Sequence, residues 1–551
     1  MLTDKKNVLE LAALMRAHGI RKVVLCPGSR NIPLVQTFST LEDFECYAVT
    51  DERSAGFFAM GLALNSGEPA AVCCTSGTAL LNLHPAVAEA SYQHIPLLVI
   101  SADRPQAWID QMDGQTLKQT GVFDRLGIRS ATIEDYQDEE GHWFCNRQIN
   151  EILLELKKNH PAHLNLPLRE PLFNFTPGQL PDIRKISVRK FQDDMDALHL
   201  LVRELGKYRK VMLVSGQMRP SEQKYRLPEG IVCVSEHLSN DIAFPSIQNA
   251  DQILAAEGIE DLANELAPDL IITLGGHIVS KRFKKFIRSQ HPLAHWHIDP
   301  EGKVTDLFCC VTQIIQTEPE TFLKALSHSG SLEDQTYGQC WTSLSQKIKQ
   351  PVLPYSEMAA IGRLVQALPE HSVLHLANSS AVRYAQLFEM DSRIKVLCNR
   401  GTSGIEGSLS TAAGYAAASD KLNFVIIGDL SFFYDANALW NSHIGPNLRI
   451  LLLNNGGGEI FKTLPRLQPT ADSGKFILGQ HHTSAEAWTE EMGFEYHCAR
   501  NEEGLADCIL ALTRTEQQER PVIAEVFTDS NKDAQLLKEY YKSLNIKQLH
   551  I

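Results

Sequence analysis

Two stretches of the chain set an apolar run directly against groups that bind hard cations. Asn423-Phe-Val-Ile-Ile427 leads into Gly428-Asp429-Leu430-Ser431, and Leu448-Arg-Ile-Leu-Leu-Leu453 leads into Asn454-Asn455-Gly456-Gly457-Gly458. Asp429 offers a carboxylate oxygen, Asn455 an amide oxygen, and the glycines after it let a backbone carbonyl approach an ion. Oxygen donors of this kind, completed by phosphate oxygens, suit Mg²⁺ or Mn²⁺. Taken singly, Gly-Asp and Asn-Asn-Gly are ordinary turn residues; the metal reading rests on the pair. A third chemical group is Asp51-Glu52, which follows the strand-like Tyr47 to Val49 and opens a helical stretch lined with small residues. A carboxyl buried against an aromatic ring is raised in pKa and shares its proton. Asp51 is the rival for that role, and an acidic helix start stabilised by the helix dipole is the plain structural alternative.

These groups need rigid carriers. In the first third, Lys22-Val-Val-Leu-Cys26, Ala70-Ala-Val-Cys-Cys74 and Pro96-Leu-Leu-Val-Ile100 alternate with helical stretches at Glu52 to Asn65 and Thr78 to Tyr92. That is the rhythm of a parallel sheet wrapped by helices. Pro and Gly gather from Pro167 to Pro181, a linker signature. A second α/β unit follows with Lys210-Val-Met-Leu-Val214 and Leu270-Ile-Ile-Thr-Leu274, and a third carries the two cation-binding ends. The expected architecture is α/β, three domains with parallel sheets flanked by helices, divided as 1–180, 181–350 and 351–551. Ligands in such sheets bind at the carboxyl ends of strands, where Asp429 and Asn455 fall.

The 551 residues carry a formal net charge of -14, 44% hydrophobic and 21% charged residues, and a mean hydropathy of -0.17. This is the profile of a folded, water-soluble chain, and the acidic balance argues against nucleic acid or an anionic membrane as partner. No apolar run reaches transmembrane length, and the amphipathic start is unlike a signal peptide, so the cytoplasm is expected. The twelve cysteines include no C-x-x-C and read as reduced core thiols. Gly401, Gly404 and Gly407 do not have dinucleotide-binding spacing, and no P-loop occurs.

Gly-Asp followed by Asn-Asn resembles the diphosphate signature of thiamine diphosphate enzymes, with Leu430 where that signature generally has a second glycine. Six further motifs, Cys26-Pro-Gly-Ser-Arg30, Asp51-Glu-Arg-Ser-Ala-Gly-Phe57, Thr75-Ser-Gly-Thr78, Ser101-Ala-Asp-Arg-Pro105, Asn399-Arg-Gly-Thr-Ser-Gly-Ile405 and Gly428-Asp-Leu-Ser431, resemble one branch of those enzymes nearly end to end. That branch is the MenD family of the menaquinone pathway, where Gly-Asp-Leu is itself usual.

The resemblance implies a reaction joining 2-oxoglutarate to isochorismate with loss of CO₂, by 1,4-addition to the ring acid. It implies thiamine diphosphate with Mg²⁺ (or Mn²⁺), and a homodimer or homotetramer in which Glu52 of one chain meets the metal corner of another. Glu52 is then the catalytic carboxyl. Ser379, Ile405, Gly428, Asp429, Leu430, Ser431, Asn455, Gly457, Ile460 and Phe461 join it at the cofactor, with Asp429, Asn455 and Gly457 on the metal. Ser29, Arg30, Arg104 and Gln115 face isochorismate, as do Lys281 and Arg282; Ser379, Arg383 and Arg400 take 2-oxoglutarate. Gly114 departs from relatives with asparagine there. Both substrates are dicarboxylates, which guanidinium forks bind in bidentate fashion.

Plainer roles stand beside these. A lone arginine is more often a solvated cation or salt-bridge partner, Arg282-Phe-Lys-Lys285 reads as a basic helix face, and Ile405 and Phe461 read as core. The rival functions are another thiamine diphosphate-dependent 2-oxoacid decarboxylase or carboligase, and a noncatalytic scaffold on the same fold.

Overall fold

The computed structural model describes residues 1–189, 194–463, 473–516 and 518–545. Three sheets organise them. The first contains β1 (Lys22–Leu25), β2 (Glu45–Ala48), β3 (Ala70–Cys74), β4 (Leu97–Asp103), β5 (Arg129–Thr132) and β6 (Ala162–Pro167), in the order β2-β1-β3-β4-β6-β5. The second contains β7 (Val211–Ser215), β8 (Val232–Ser235), β9 (Leu270–Leu274), β10 (Ala294–Ile298) and β11 (Gln313–Ile315), in the order β8-β7-β9-β10-β11. The third contains β12 (Val373–Leu376), β13 (Lys395–Leu397), β14 (Asn423–Gly428), β15 (Leu448–Asn454), β16 (Glu495–Ala499) and β17 (Val522–Phe527), in the order β13-β12-β14-β15-β17-β16. All pairings within these sheets are parallel. The fold is the expected α/β architecture of three parallel sheets flanked by helices.

Helices cover both faces, so the central strands bury both sides and read as continuous apolar runs. Every residue of β3, β4 and β15 is buried. One apolar cluster runs from Met212 and Val234 of the second sheet to Leu374, Ile426 and Leu451 of the third, so those two units share a core. Ala413, from the helix Ser408–Ala417, packs into a cluster on one face of the first sheet.

Strand order reverses between β1 and β3, between β7 and β9, and between β12 and β14, and at such points the loops diverge and open a crevice. Cys26-Pro-Gly-Ser-Arg30 and Thr75-Ser-Gly77 leave the first switch point; Ala377-Asn378-Ser379 and Asp429 leave the third. At the second the loops after β7 and β9 pack closely, since a Cβ on Gly216 would lie 2.1 Å from the Gly276 carbonyl oxygen.

Several details differ from the sequence reading. The Thr78 to Tyr92 helix is two helices, Thr78–Asn82 and His84–Tyr92, broken ahead of Pro85, which cannot donate a helix hydrogen bond. The start is not a simple amphipathic helix: Leu2–Thr3 pairs with Phe175–Thr176, and the following helix, Lys6–His18, buries Glu10 against Asn146 and His142. All twelve cysteines are free, but Cys309 and Cys498 are exposed and Cys46, Cys310 and Cys340 only half-buried, so the core-thiol description fits the other seven. Among the described residues, no helix is long and apolar enough to cross a membrane.

Candidate active site

The third switch point brings together most of the residues expected at the cofactor. β14 and β15 pair with Gly428 opposite Leu453, so Asp429 and Asn455 emerge side by side. Asp429 is 3% exposed. Its Oδ2 accepts hydrogen bonds from the backbone N–H groups of Gly456 (2.8 Å) and Gly457 (3.0 Å), and Oδ1 accepts from Leu430 N–H. The His481 imidazole lies 3.3 Å from Oδ2. Burial raises the Asp429 carboxyl, opposed by His481 and the three N–H donors. Leu430 needs no glycine substitute: Asp429–Tyr434 is helical, and neither Gly428 nor Leu430 adopts positive φ. A Cβ on Gly428 would meet nothing within 4 Å, so the backbone faces open space there.

Asn455 is the more telling group. Its Nδ2 donates to Glu357 Oε1 (2.7 Å) and Glu459 Oε2 (3.1 Å), while Oδ1 is buried and has no partner among the described residues. An orphaned buried acceptor costs about 1–3 kcal/mol unless something fills it. A divalent cation is what an amide oxygen beside a carboxylate can take, so these residues fit the metal that thiamine diphosphate requires. Gly457 adopts φ 152°, with Leu478 O 2.7 Å from where a Cβ would sit; a side chain there would collide with the covering segment.

Ser431 donates its hydroxyl to Ile405 O, which ties the Asn399 to Ile405 loop to this corner. Ile405 itself is 41% exposed, a large apolar side chain at the mouth of the site and not in the core. Ile460 and Phe461 lie in the 3₁₀ segment Glu459–Thr463, with the Phe461 ring over Gly458.

The same sheet end gathers the expected anion groups. Ser379 adopts φ 72°, a strained conformation for a residue with a side chain, and its carbonyl accepts from Arg383 Nη1 at 2.6 Å. Asn378 Oδ1 accepts from Arg400 Nη1 at 2.8 Å, and Asn378 Nδ2 holds the carbonyls of Asn399 and Gly404. Among the described residues neither arginine makes an ion pair. Burial lowers the Arg383 guanidinium, and Arg400 lowers it further. Two guanidinium groups without an ion-pair partner among the described residues, one half-buried and one buried, are suited to binding a carboxylate.

Glu52 belongs to the first unit. Asp51 caps the helix Glu52–Ser66 by accepting from Arg53 N–H (2.9 Å) and Ser54 N–H (3.3 Å), and its other oxygen accepts from Asn437 at 2.7 Å. Both Asp51 oxygens are therefore in structural use. Among the described residues Glu52 accepts only from Asn82, at 3.3 Å, and it faces a cavity of about 430 Å³ lined by Thr50, Asp51, Arg53, Asn82 and Trp440. Among the described residues, no hydrogen bond or ion pair joins Glu52 to Asp429 or Asn455.

The residues expected at isochorismate surround the first switch point, with the basic pair apart. Ser29 is exposed; Arg30 is buried, donating to Leu168 O (3.0 Å) and pairing with Glu170 (3.1 Å). Arg104 donates to Gly114 O (3.2 Å), and the Gln115 backbone sits against Gly77. Arg282 is engaged by the Asp251 carboxylate and lies over the Tyr541 ring at 4.6 Å, whereas Lys281 is exposed.

Sequence reading missed the supporting acids. Glu89, 1% exposed, accepts from Gly401 N–H (2.7 Å), Thr402 N–H (2.6 Å) and the Thr402 hydroxyl (2.6 Å), pinning the loop that carries Arg400 and Ile405. Its only signal was an acid within the apolar face Ala86, Val87 and Ala90. Glu357, Glu459 and Asp533 form a buried carboxyl cluster behind Asn455. Burial first and Glu459 second raise Glu357 far above the usual range, and burial pushes Asp533 up to about 7.

Asp429 beside Asn455 at one strand-end crevice, and Glu52 at a cavity of the first unit, are the arrangement expected of a thiamine diphosphate enzyme. The chain matches the families described as thiamine pyrophosphate enzyme, N-terminal TPP binding domain, over residues 9–123, and middle domain of thiamine pyrophosphate, over residues 208–376. It is 53% identical to a 2-succinyl-5-enolpyruvyl-6-hydroxy-3-cyclohexene-1-carboxylate synthase of Bacteroides thetaiotaomicron, over 99% of this chain and 100% of that one. Proteins of the same name from Flavobacterium johnsoniae (37%, 98% of each chain) and Porphyromonas gingivalis (36%, 98% and 97%) are similar throughout. The chain belongs to the 2-succinyl-5-enolpyruvyl-6-hydroxy-3-cyclohexene-1-carboxylate synthase family.

Proposed function

We propose that this enzyme decarboxylates 2-oxoglutarate and adds the resulting succinyl unit to isochorismate, giving 2-succinyl-5-enolpyruvyl-6-hydroxy-3-cyclohexene-1-carboxylate and CO₂ in menaquinone biosynthesis. The observation that carries the reading is the unneutralised Arg383–Arg400 pair at the sheet end that also holds the Asp429–Asn455 corner. A pyruvate enzyme needs one carboxylate anchor; a dicarboxylate needs more.

Bound thiamine diphosphate supplies the nucleophilic carbon and the electron sink for decarboxylation. Asp429 and Asn455 Oδ1, with the Gly457 carbonyl, hold Mg²⁺ or Mn²⁺, and the open backbone at Gly428 admits phosphate oxygens. Leu430, Ser431, Ile405, Ile460 and Phe461 would hold the cofactor. Glu52 holds a proton at a ring nitrogen of the cofactor. Arg383, Arg400 and Ser379 fix the carboxylates of 2-oxoglutarate. Ser29, Arg30, Arg104 and Gln115 receive isochorismate; of the basic pair, which stands apart from them, Arg282 already serves Asp251 and Tyr541, which leaves Lys281 the freer cation to reach the substrate.

We place the domain divisions near residues 180 and 350, the active unit as a homodimer or a tetramer of such dimers, and the enzyme in the cytosol. The dimer is supported by the cavity at Glu52 and by Leu81, Tyr434 and Trp440, exposed by 41%, 52% and 51%. The cytosol is supported by twelve unpaired cysteines.

The test incubates the protein with thiamine diphosphate, Mg²⁺, 2-oxoglutarate and isochorismate and follows the loss of isochorismate absorbance. Turnover of pyruvate without turnover of this pair would replace the reading with a decarboxylase or acetolactate-type carboligase.

A further inference from the structure

We infer that Glu357 and Glu459 are positioning residues that decide which end of the Asn455 side chain faces the cation, an inference that rests on the metal site proposed above. An asparagine amide has two unlike ends. Its oxygen binds a hard cation, its NH₂ cannot, and half a turn about the last side-chain bond exchanges them. The choice is made by the acceptors around Nδ2. Glu357 Oε1 at 2.7 Å and Glu459 Oε2 at 3.1 Å occupy the two amide hydrogens and leave Oδ1 buried and unpartnered. The reversed amide would press Oδ1 against two carboxyl oxygens and turn NH₂ into the place of the ion.

The two carboxyls are themselves held from separate elements. Glu357 is the first residue of the helix Glu357–Ala367, whose N-terminus is capped by Ser356, and its N–H donates to Asp533 Oδ1 at 3.3 Å. Glu459 Oε1 accepts the Tyr384 hydroxyl at 2.7 Å. Each glutamate is only 2% exposed. Burying carboxyl groups together is costly, and the hydrogen bonds to Asn455 are what this arrangement obtains for the cation site. Partners of this kind behind a metal ligand typically change metal affinity about 10- to 100-fold.

The experiment titrates Mn²⁺ into the full-length protein with thiamine diphosphate and reads free Mn²⁺ by electron paramagnetic resonance. Unligated protein is compared by circular dichroism and thermal melting. The double variant Glu357→Met/Glu459→Met removes both acceptors at similar volume; its Mn²⁺ affinity is expected to fall about tenfold or more while the unligated melt is kept or raised. Glu357→Gln and Glu459→Gln each retain a carbonyl acceptor and should stay within about threefold of the unaltered protein. Asn455→Asp placed in the double methionine background presents oxygen at either end and should restore Mn²⁺ binding. The inference is overturned by unchanged affinity in the double methionine variant, or by glutamine variants that lose as much as methionine. If the double variant does not fold, each single methionine variant is read against its glutamine counterpart, and equal affinities overturn the inference. Absence of Mn²⁺ binding by the unaltered protein would instead sink the metal site itself.

Discussion

At the scale of single residues, the site separates groups already in structural use from groups left free for chemistry. Asp51 has both carboxylate oxygens occupied, whereas Glu52 has one long contact to Asn82. Glu52→Gln is therefore expected to keep the fold and bind thiamine diphosphate, seen by calorimetry, while turnover falls about 10²- to 10⁴-fold; near-normal turnover would remove Glu52 from its role. Arg400 is expected to act through 2-oxoglutarate binding. Arg400→Lys keeps the charge but loses the planar fork, and should raise the KM for 2-oxoglutarate at least about tenfold with a smaller effect on that for isochorismate. Equal effects on both substrates would count against that assignment. Asp429, Asn455 and these arginines were legible in the sequence because each follows a strand end or a glycine turn. Glu89, Glu357 and Glu459 were not, because an acid on an otherwise apolar face declares itself only when its distant donors, Thr402, Asn455 and Tyr384, are brought alongside. Arg282 shows the converse: its basic neighbourhood was visible, but its engagement with Asp251 of the helix Ala250–Ile253 and with Tyr541 of the helix Ser530–Ser543 depends on two distant elements.

At the scale of elements, two helices carry the decisive contact between the first and third units. Glu52–Ser66 meets Ser408–Ala417 so closely that a Cβ on Gly61 would lie 2.1 Å from Thr411 O, and one on Gly414 would lie 2.0 Å from Phe58 O. Backbone cannot yield as a side-chain tip can. Gly414→Ala should therefore lower the melting temperature by several degrees, a cost of about 1–3 kcal/mol from overpacking; an unchanged melt would show that the helices slide freely. The three parallel sheets were readable from their apolar runs, which need only local pattern. The helix seam was not, since small residues in Glu52 to Asn65 show that close packing is permitted without naming the partner.

At the scale of the whole molecule, buried neutral imidazoles make stability depend on pH. Burial holds His163 down to about 3, and His295 and His375 down to about 4. The unfolded chain binds protons at these groups near the ordinary value of about 6.5, so the native state binds fewer between there and its own low values. Their contribution is present above about pH 6.5 and is lost as pH falls toward 4. Asp435, pushed up to about 6 by burial, runs the other way, favouring the fold at low pH and losing that contribution as pH rises through 6. The clean measurement is a difference: His163→Asn should flatten the decline of the unligated melting temperature between pH 6.5 and 4, and an unaltered slope would contradict the assignment. The helix seam has a further consequence for genetic complementation. Gly61 and Gly414 fix the first unit against the third unit of its own chain, and in the dimer proposed above Glu52 serves a neighbour's metal corner. Chains bearing Glu52→Gln and chains bearing Asp429→Ala, each inactive alone, should then rescue one another when co-refolded. A mixed dimer concentrates both lesions in one site and leaves the other intact, so an equal mixture should recover up to about a quarter of the original sites. Two inactive alleles of one gene would together support growth, and a site completed within a single chain could give no such rescue.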